Sequence, residues 1–582
     1  FKNFTKKDIG MIIVSIVLVV FQVWLDLKLP DYMSAITRLV QTDGAAMADI
    51  LRQGGYMLLC AFGSLISACI VGFLASNLSA NFSYTLRSKV YNKVLNLSTA
   101  EVKQFQTSSL ITRTTNDITQ LEMLISIGLQ LLIKAPIMAV WAITKILNKS
   151  IEWSMLTAGC VVILLCVVIG LMLIVLPRFE KVQKLIDKIN NVTRESITGI
   201  RVIRAFNAEK YQENRFEKVN DDLTNMQLFN QKCFAILSPI MMLVMNGLTL
   251  GIYAIGTYLI NNAIISVKIS LFSDMVIFSS YGIQVIMSFL MLAMIFMMWP
   301  RAQISARRIN EVLDCKVSIK DGKDDIKPTE VGTVEFKNVS FKYPDADEYL
   351  LRNISFKVNK GETIAFIGST GSGKSSLINL VPRFYDATDG EVLVDGVNVK
   401  NYSLEELHNK LGYIPQKAVM FTGTVKSNVA YGTKKGKKPS DKKVSEAINI
   451  AQAEEFVSKM EGGLAAHIAR GGTNVSGGQK QRLAIARSIA RDPEIYIFDD
   501  SFSALDYKTD ANLRSELKKY TKDATSMIVA QRIGTIINAD KIVVLDKGTC
   551  VGIGTHQELL KNCEVYKEIA LSQLSKEELE NA

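Results

Sequence analysis

The segment Gly368-Ser369-Thr370-Gly371-Ser372-Gly373-Lys374-Ser375-Ser376 follows an apolar run, Ile364 to Ile367, and leads into the apolar pattern of a helix. A buried strand, a glycine-rich loop and a helix in this order match GxxxxGK[ST] in the context that pattern requires. The glycines let backbone N–H groups approach phosphate oxygens, Lys374 reaches the β and γ phosphates, and the Ser375 hydroxyl ligates Mg²⁺. A second apolar run, Ile495 to Phe498, ends in Asp499 and Asp500. An acid at such a strand end completes the Mg²⁺ shell. Between the two runs, Asn474-Val475-Ser476-Gly477-Gly478-Gln479 opens a basic helix. That is a second anion-binding helix N-terminus, and one nucleotide leaves it without a task. Its natural target is a γ-phosphate held by another subunit.

The elements that position these residues divide the chain in two. At 582 residues it is too long for a single core, because cores stop growing at roughly 250 to 300 residues. All four Trp fall before residue 300, and all three His (His408, His467, His556) fall after residue 400. Six apolar stretches of spanning length occur in the first half, near Ile9–Leu29, Gly55–Leu78, Leu124–Ile146, Met155–Leu176, Cys233–Ile260 and Leu271–Trp299. Stretches of about 20 apolar residues are the mark of helices crossing a hydrocarbon core. Lys134 lies inside the third, where it either faces a cavity or anionic cargo or finds a partner near a helix end. Met241, Met242, Met245, Met287, Met291, Met294, Met297 and Met298 enrich the fifth and sixth, and flexible thioethers suit varied apolar ligands as well as lipid.

Lys and Arg set the expected orientation. Three Lys precede the first span, residues 81–123 hold five Lys or Arg, and residues 177–232 hold eleven. The other loops carry fewer, among them Arg38, Arg52, Lys145, Lys149 and Lys268. Basic loops stay in the cytoplasm, so both termini and both long loops are expected there, in a multi-pass protein of the cell membrane. The net charge of +11 follows from this bias and from anionic headgroups, and no nucleic-acid partner is needed to explain it. Three His separated by 59 and 89 positions and eight Cys without a CxxC pair argue against a zinc site or a disulfide framework. The expected domains are residues 1–315, spanning the membrane with long cytoplasmic loops, a linker 316–330, and a nucleotide-binding α/β domain 331–582.

With Ser476-Gly-Gly-Gln479 standing between the phosphate loop and Ile-Phe-Asp499, the chain resembles the ATP-binding cassette family over nearly its whole length. Six spans fused ahead of one cassette look like the exporter-type half-transporter. Ser109-Leu-Ile-Thr-Arg113-Thr-Thr-Asn116-Asp117 and Glu195-Ser-Ile-Thr-Gly199-Ile-Arg201-Val-Ile-Arg204-Ala-Phe206 with Glu209 support this, since relatives carry coupling helices in these loops. The resemblance implies a helical exporter-type transmembrane domain followed by a P-loop α/β domain. It also implies that ATP and Mg²⁺ are the cofactors, Tyr343 stacks on adenine, Gln416 is the loop glutamine beside Mg²⁺, and Ser503-Ala-Leu-Asp506 forms the D-loop.

Departures from the family pattern sharpen the expectation. Efficient relatives carry Glu after the Asp499 position and His after the next apolar strand, whereas this chain has Asp500 and Gln531. Asp places its carboxylate about 1.5 Å short, a misplacement on the order of a hundredfold in rate. Gln531 cannot titrate near pH 7. Both changes weaken one step, so the resemblance implies a heterodimer. This chain's own Walker motifs would then make a slow site, and its intact signature would complete the site of a second half-transporter. Val475 for Leu is a minor change, and Arg470 stands where many exporters carry Glu. Amphiphilic drugs, lipids or peptides are the expected cargo, with an importer or a non-pumping sensor subunit as the alternatives.

Overall fold

In the computed structural model, residues 6–42, 44–147, 151–322, 328–432, 434 and 436–574 are described. Lys2, Lys149, part of the linker and the last eight residues lie outside them. The chain forms two compact units, Phe1–Leu95 with Thr107–Cys315, and Asn96–Gln106 with Lys316–Ala582.

The first unit is helical. Six candidate spans occupy Lys6–Val40, Met47–Leu95, Thr107–Ile146, Ile151–Thr198, Glu209–Asn262 and Val267–Leu313. At 1.5 Å per residue, the 49 residues of Met47–Leu95 reach about 74 Å, more than twice a hydrocarbon core. The helices Met47–Leu95, Ile151–Thr198 and Glu209–Asn262 therefore run on from their apolar spans into polar extensions, whereas Thr107–Ile146 is interrupted at Thr115 and by a π-helical turn at Leu124–Gly128. Small residues permit close helix approach. A Cβ at Gly251 would lie 2.7 Å from Leu156, and one at Gly256 would collide with Met275. Trp153, 1% exposed, anchors this layer and donates its indole N–H to the Ile252 carbonyl at 3.1 Å.

Two lysines inside the apolar layer are paired with carboxylates. Lys134 lies 3.1 Å from Asp26, which also accepts from the Ser64 hydroxyl. Lys145 lies 2.8 Å from Asp31, whose other oxygen accepts from the Tyr281 hydroxyl at 2.7 Å. Pairing, one of the two alternatives for Lys134, is the one the geometry supports, because an isolated charge at that depth is costly.

The second unit contains twelve strands among the described residues. They are β1 (Val334–Phe341), β2 (Leu351–Val358), β3 (Thr363–Gly368), β4 (Asp389–Val394), β5 (Val397–Asn398), β6 (Leu411–Ile414), β7 (Gly423–Thr424), β8 (His467–Ile468), β9 (Ile495–Asp499), β10 (Thr525–Val529), β11 (Lys541–Asp546) and β12 (Thr549–Gly554). The main sheet has the order β12-β11-β3-β10-β9-β6. Within it β11, β3, β10, β9 and β6 run parallel, and β12 closes the edge antiparallel to β11. Both faces are covered, so the parallel strands are continuous apolar runs, as in Ile364 to Ile367, all at most 1% exposed. An antiparallel sheet, β2-β1-β4-β5, packs its Phe336, Phe341 and Phe356 into the same core.

Residues 96–106 belong to this unit, although the expected boundary placed them with the membrane domain. The reason is local. Helix Thr99–Phe105 begins with a capping box in which the Glu101 carboxylate accepts the Ser98 N–H at 2.7 Å. Glu101 also accepts from the Ser318 N–H at 3.4 Å, and Ala100 packs on the cassette core. Within the first unit, Arg113 and Asp117 of the stretch Ser109–Asp117 pair with the last long helix. Arg113 lies 2.9 Å from Glu311, and Asp117 lies 3.4 Å from Arg308.

Candidate functional site

Four neighbouring parallel strands deliver the site at their carboxyl ends, where α/β sheets place ligands. β3 ends in the phosphate loop, β10 leads to Gln531, β9 ends in Asp499 and Asp500, and β6 leads through Pro415 to Gln416. These segments are far apart in sequence, and the order β3-β10-β9-β6 brings them together.

The loop from Gly368 to Gly373 turns sharply. Gly371 and Gly373 have φ of 85° and 94°, left-handed values that favour glycine. A Cβ at Gly371 would meet nothing within 4 Å, so the loop's outer side is open to a ligand. Lys374, 9% exposed, folds over this loop and donates to the carbonyls of Gly368 and Ser369, both at 2.8 Å. Burial pushes its pKa down, and the Asp500 and Asp499 carboxylates oppose that fall. Ser372 contributes a hydroxyl 3.4 Å from the Lys374 ammonium. Ser369 and Thr370 complete the loop.

Ser375 Oγ donates to Asp499 Oδ1 at 2.6 Å, and the Tyr413 hydroxyl approaches Asp499 Oδ2 at 3.4 Å. Burial raises the Asp499 pKa, and these two hydrogen bonds counter it. A hydroxyl and a carboxylate converging this closely form a hard-oxygen donor set that fits Mg²⁺. The residues present therefore suit the metal, which Ser375 and Asp499 would hold.

Asp500 stands one residue on, 7% exposed, in the left-handed region at φ 46°, which Asp tolerates better than most residues. Its Oδ2 accepts two amide donors, Gln531 Nε2 at 2.7 Å and Gln416 Nε2 at 3.1 Å. A carboxylate only accepts, so it turns both NH₂ groups toward itself. Among the described residues no hydrogen bond uses the Gln416 Oε1, the atom that would face a metal ion.

At the other end of the loop, the Tyr343 hydroxyl and Ser376 Oγ are 2.7 Å apart. Tyr343 meets Tyr385 edge to face at 5.2 Å and 89°, and Phe341 at 5.0 Å and 75°. These contacts fix the ring that the resemblance assigns to adenine.

Ser476, Gly477, Gly478 and Gln479 sit apart from this cluster. Ser476 caps helix Gly477–Arg491, its Oγ accepting from Gln479 N–H at 3.3 Å while Gln479 Oε1 accepts the Ser476 N–H at 2.8 Å. Ser476 and Gly477 are exposed. Among the described residues, no hydrogen bond or ion pair joins these four to the phosphate loop or to Asp499. Asp506 caps the next helix, accepting from Thr509 N–H at 2.9 Å. Two histidines have structural partners elsewhere. His408 Nε2 lies 2.8 Å from the Pro382 carbonyl, and His556 Nδ1 lies 2.7 Å from the Tyr566 hydroxyl. Arg470 is exposed.

Two site features escaped the sequence reading. Tyr413 joins the Asp499 shell from β6, and its only signal was an aromatic on a short strand. Helix Thr99–Phe105 carries the Ser98-x-x-Glu101 capping pattern, a sequence-level helix start that marked it.

A six-helix unit followed by a cassette with this strand-end site defines an ABC-type arrangement. Residues 12–289 match the ABC transporter transmembrane region, and residues 351–503 match the ABC transporter ATP-binding domain. The uncharacterized ABC transporter ATP-binding protein Rv1273c of Mycobacterium tuberculosis is 37% identical over 554 residues, 93% of each chain. The probable multidrug resistance ABC transporter ATP-binding/permease protein YheI of Bacillus subtilis is 31% identical over 486 residues, 83% of this chain and 81% of that one. A bacterial Atm1-family ABC exporter with ATP bound shares the fold, with a TM-score of 0.82 at 24% identity, covering 97% of this chain and 99% of that one. The chain belongs to the ABC transporter family. It is an exporter-type half-transporter, a multi-pass membrane protein and a transport ATPase.

Proposed function

We propose that this chain is one subunit of a heterodimeric exporter whose own Walker motifs form a slow, ATP-retaining site. The observation that carries this reading is the pair of amide donors, Gln531 and Gln416, on Asp500 Oδ2. A general base must reach the proton it takes. The Asp500 carboxylate is one methylene short, and two glutamines hold it in place. No imidazole stands at position 531 to assist. Binding is supported better than hydrolysis: Gly368 to Ser376 cradle the phosphates, Ser375, Asp499 and Gln416 hold Mg²⁺, and Tyr343 carries the base.

The intact signature supplies the complementary role. Ser476, Gly477, Gly478 and Gln479 form the start of a 15-residue helix, with Ser476 and Gly477 exposed, a helix N-terminus that suits the γ-phosphate of an ATP bound by a partner half-transporter. Asp506 lies on the same side of the assignment, in the D-loop. With both long loops and both termini in the cytoplasm, the cassette meets cytoplasmic ATP.

An amphiphilic cargo fits a cavity of about 780 Å³ in the helical unit, a volume in the range of small-molecule sites. Phe179, Phe234 and Ile304 give it apolar patches, but most of its lining is polar or charged, including Asp117, Asp187 and Arg301, and much of it comes from the two long loops, so a cargo with a polar or charged part fits it best. Co-expression with the partner half-transporter and reconstitution into vesicles tests the reading. ATP-driven accumulation of a lipophilic cationic dye by the pair, and not by either chain alone, is the expected result. ATP hydrolysis by the pair without accumulation of any amphiphilic probe would favour a sensor subunit.

A further inference from the structure

Helix Thr99–Phe105 lies on the cassette at its aromatic end, and it brings a cation there. Lys103 Nζ is 5.6 Å from the centroid of the Tyr343 ring and 5.8 Å from that of Tyr385. The helix is held by its capping box and by Glu101 and Ser98, which reach Ser318, with Ser98 Oγ and Ser318 Oγ 3.2 Å apart. Tyr343 is fixed by Ser376, Tyr385 and Phe341. Both sides of the contact are therefore pre-positioned.

Among the described residues, the buried Tyr385 hydroxyl closes no hydrogen bond of ordinary geometry. It still lies near enough to Lys103 to hold that lysine's pKa above its usual value. An exposed ammonium on a flexible stem thus sits over the ring assigned to the base, beside a polar atom with no settled partner. A nucleoside triphosphate seated on Tyr343 would bring ribose oxygens and phosphates, all acceptors, within reach of the ammonium's donors.

We propose that Lys103, on the loop between the second and third spans, is a further nucleotide-binding residue that clamps ATP against Tyr343 from outside the cassette's own motifs. The inference rests on reading Tyr343 as the adenine platform. It makes occupancy of the site directly felt by helix Thr99–Phe105.

Equilibrium binding of a fluorescent methylanthraniloyl-ATP to the purified full-length chain tests this, with Lys103→Ala, Lys103→Arg, Tyr343→Ala and the Lys103→Ala/Tyr343→Ala double variant. An exposed ammonium donating to ribose or phosphate oxygens predicts a Kd raised roughly two- to fivefold in Lys103→Ala, largely recovered in Lys103→Arg. The double variant should bind within about twofold of Tyr343→Ala, since contacting residues are not additive. Unchanged affinity in Lys103→Ala alongside weakened binding in Tyr343→Ala overturns the Lys103 assignment alone. Unchanged affinity in Tyr343→Ala overturns the adenine platform on which the assignment rests. Matching thermal melts for Lys103→Ala and the unsubstituted chain separate a binding effect from loss of the helix.

Discussion

Gln531 donates its side-chain amide to Asp500 Oδ2 at 2.7 Å, across the gap between the ends of β10 and β9. The two residues that depart from the family's hydrolytic pattern are thus bonded to each other. An amide facing a carboxylate makes a settled, neutral-to-anion hydrogen bond. It offers no proton exchange near pH 7, unlike the imidazole it replaces. The pair reads as one coupled change.

The two halves of the nucleotide machinery in this chain should respond unequally to substitution. Ser476→Arg places bulk and charge at the exposed signature N-terminus, so ATP hydrolysis by the proposed heterodimer should fall on the order of a hundredfold. Lys374→Ala removes the cation over the phosphate loop. It should abolish measurable ATP binding to this chain while lowering the pair's turnover by less than about tenfold. Nucleotide binding and phosphate release measured on the same preparations check both. An equal loss of turnover in the two variants contradicts the assignment of roles.

The paired charges in the helical unit predict a stability effect. Among the described residues, Lys134→Ala leaves Asp26 with the Ser64 hydroxyl, and because the pair is only half-buried, its side chains 21% and 18% exposed, the loss should lie between the roughly 0–1 kcal/mol of an exposed pair and the roughly 3–5 kcal/mol of a buried one. A Lys134→Met/Asp26→Leu double variant should recover most of that loss, because apolar replacement of both partners is often neutral. Thermal unfolding in detergent, followed by loss of monodisperse protein, reads the difference.

His556 gives the cassette a pH dependence away from the site. It is 4% exposed, its Nδ1 lies 2.7 Å from the Tyr566 hydroxyl, and burial holds its pKa below the ordinary value of 6.5. A base with a depressed folded-state pKa binds protons preferentially when unfolded. Its contribution is therefore complete above pH 6.5 and is lost as pH falls from there toward the folded-state value. The melting temperature should drop on acidification through this window, and His556→Gln should flatten that part of the profile. A profile with the same slope in both proteins rules out His556 as the source.

Much of this was legible in the sequence, for reasons that differ by residue. Gly368 to Ser376 and Asp499 are readable because their chemistry depends on local order: strand, loop, helix, and an acid closing a strand. Six spans are readable because apolar length alone marks them. Meeting of Gln416 and Gln531 on Asp500 is not readable from spacing, because it depends on β10 lying between β3 and β9 in the sheet. Lys134 declared a charge in the apolar layer but not its partner, since Asp26 is more than 100 residues away. Helix Thr99–Phe105 is two turns long, too short for apolar periodicity to show, and only its capping box announced it.

The central claim is that Asp500 and Gln531 make this chain's own site slow. Its most direct test is ATP turnover by the purified chain alone, in lipid, with and without Asp500→Glu/Gln531→His. Low activity is expected in the unsubstituted chain, with a rise on the order of tenfold to a hundredfold in the double variant and little effect of Asp500→Asn on the rate of the proposed heterodimer. Turnover by the unsubstituted chain as fast as that of the pair, abolished by Asp500→Asn, would contradict the claim.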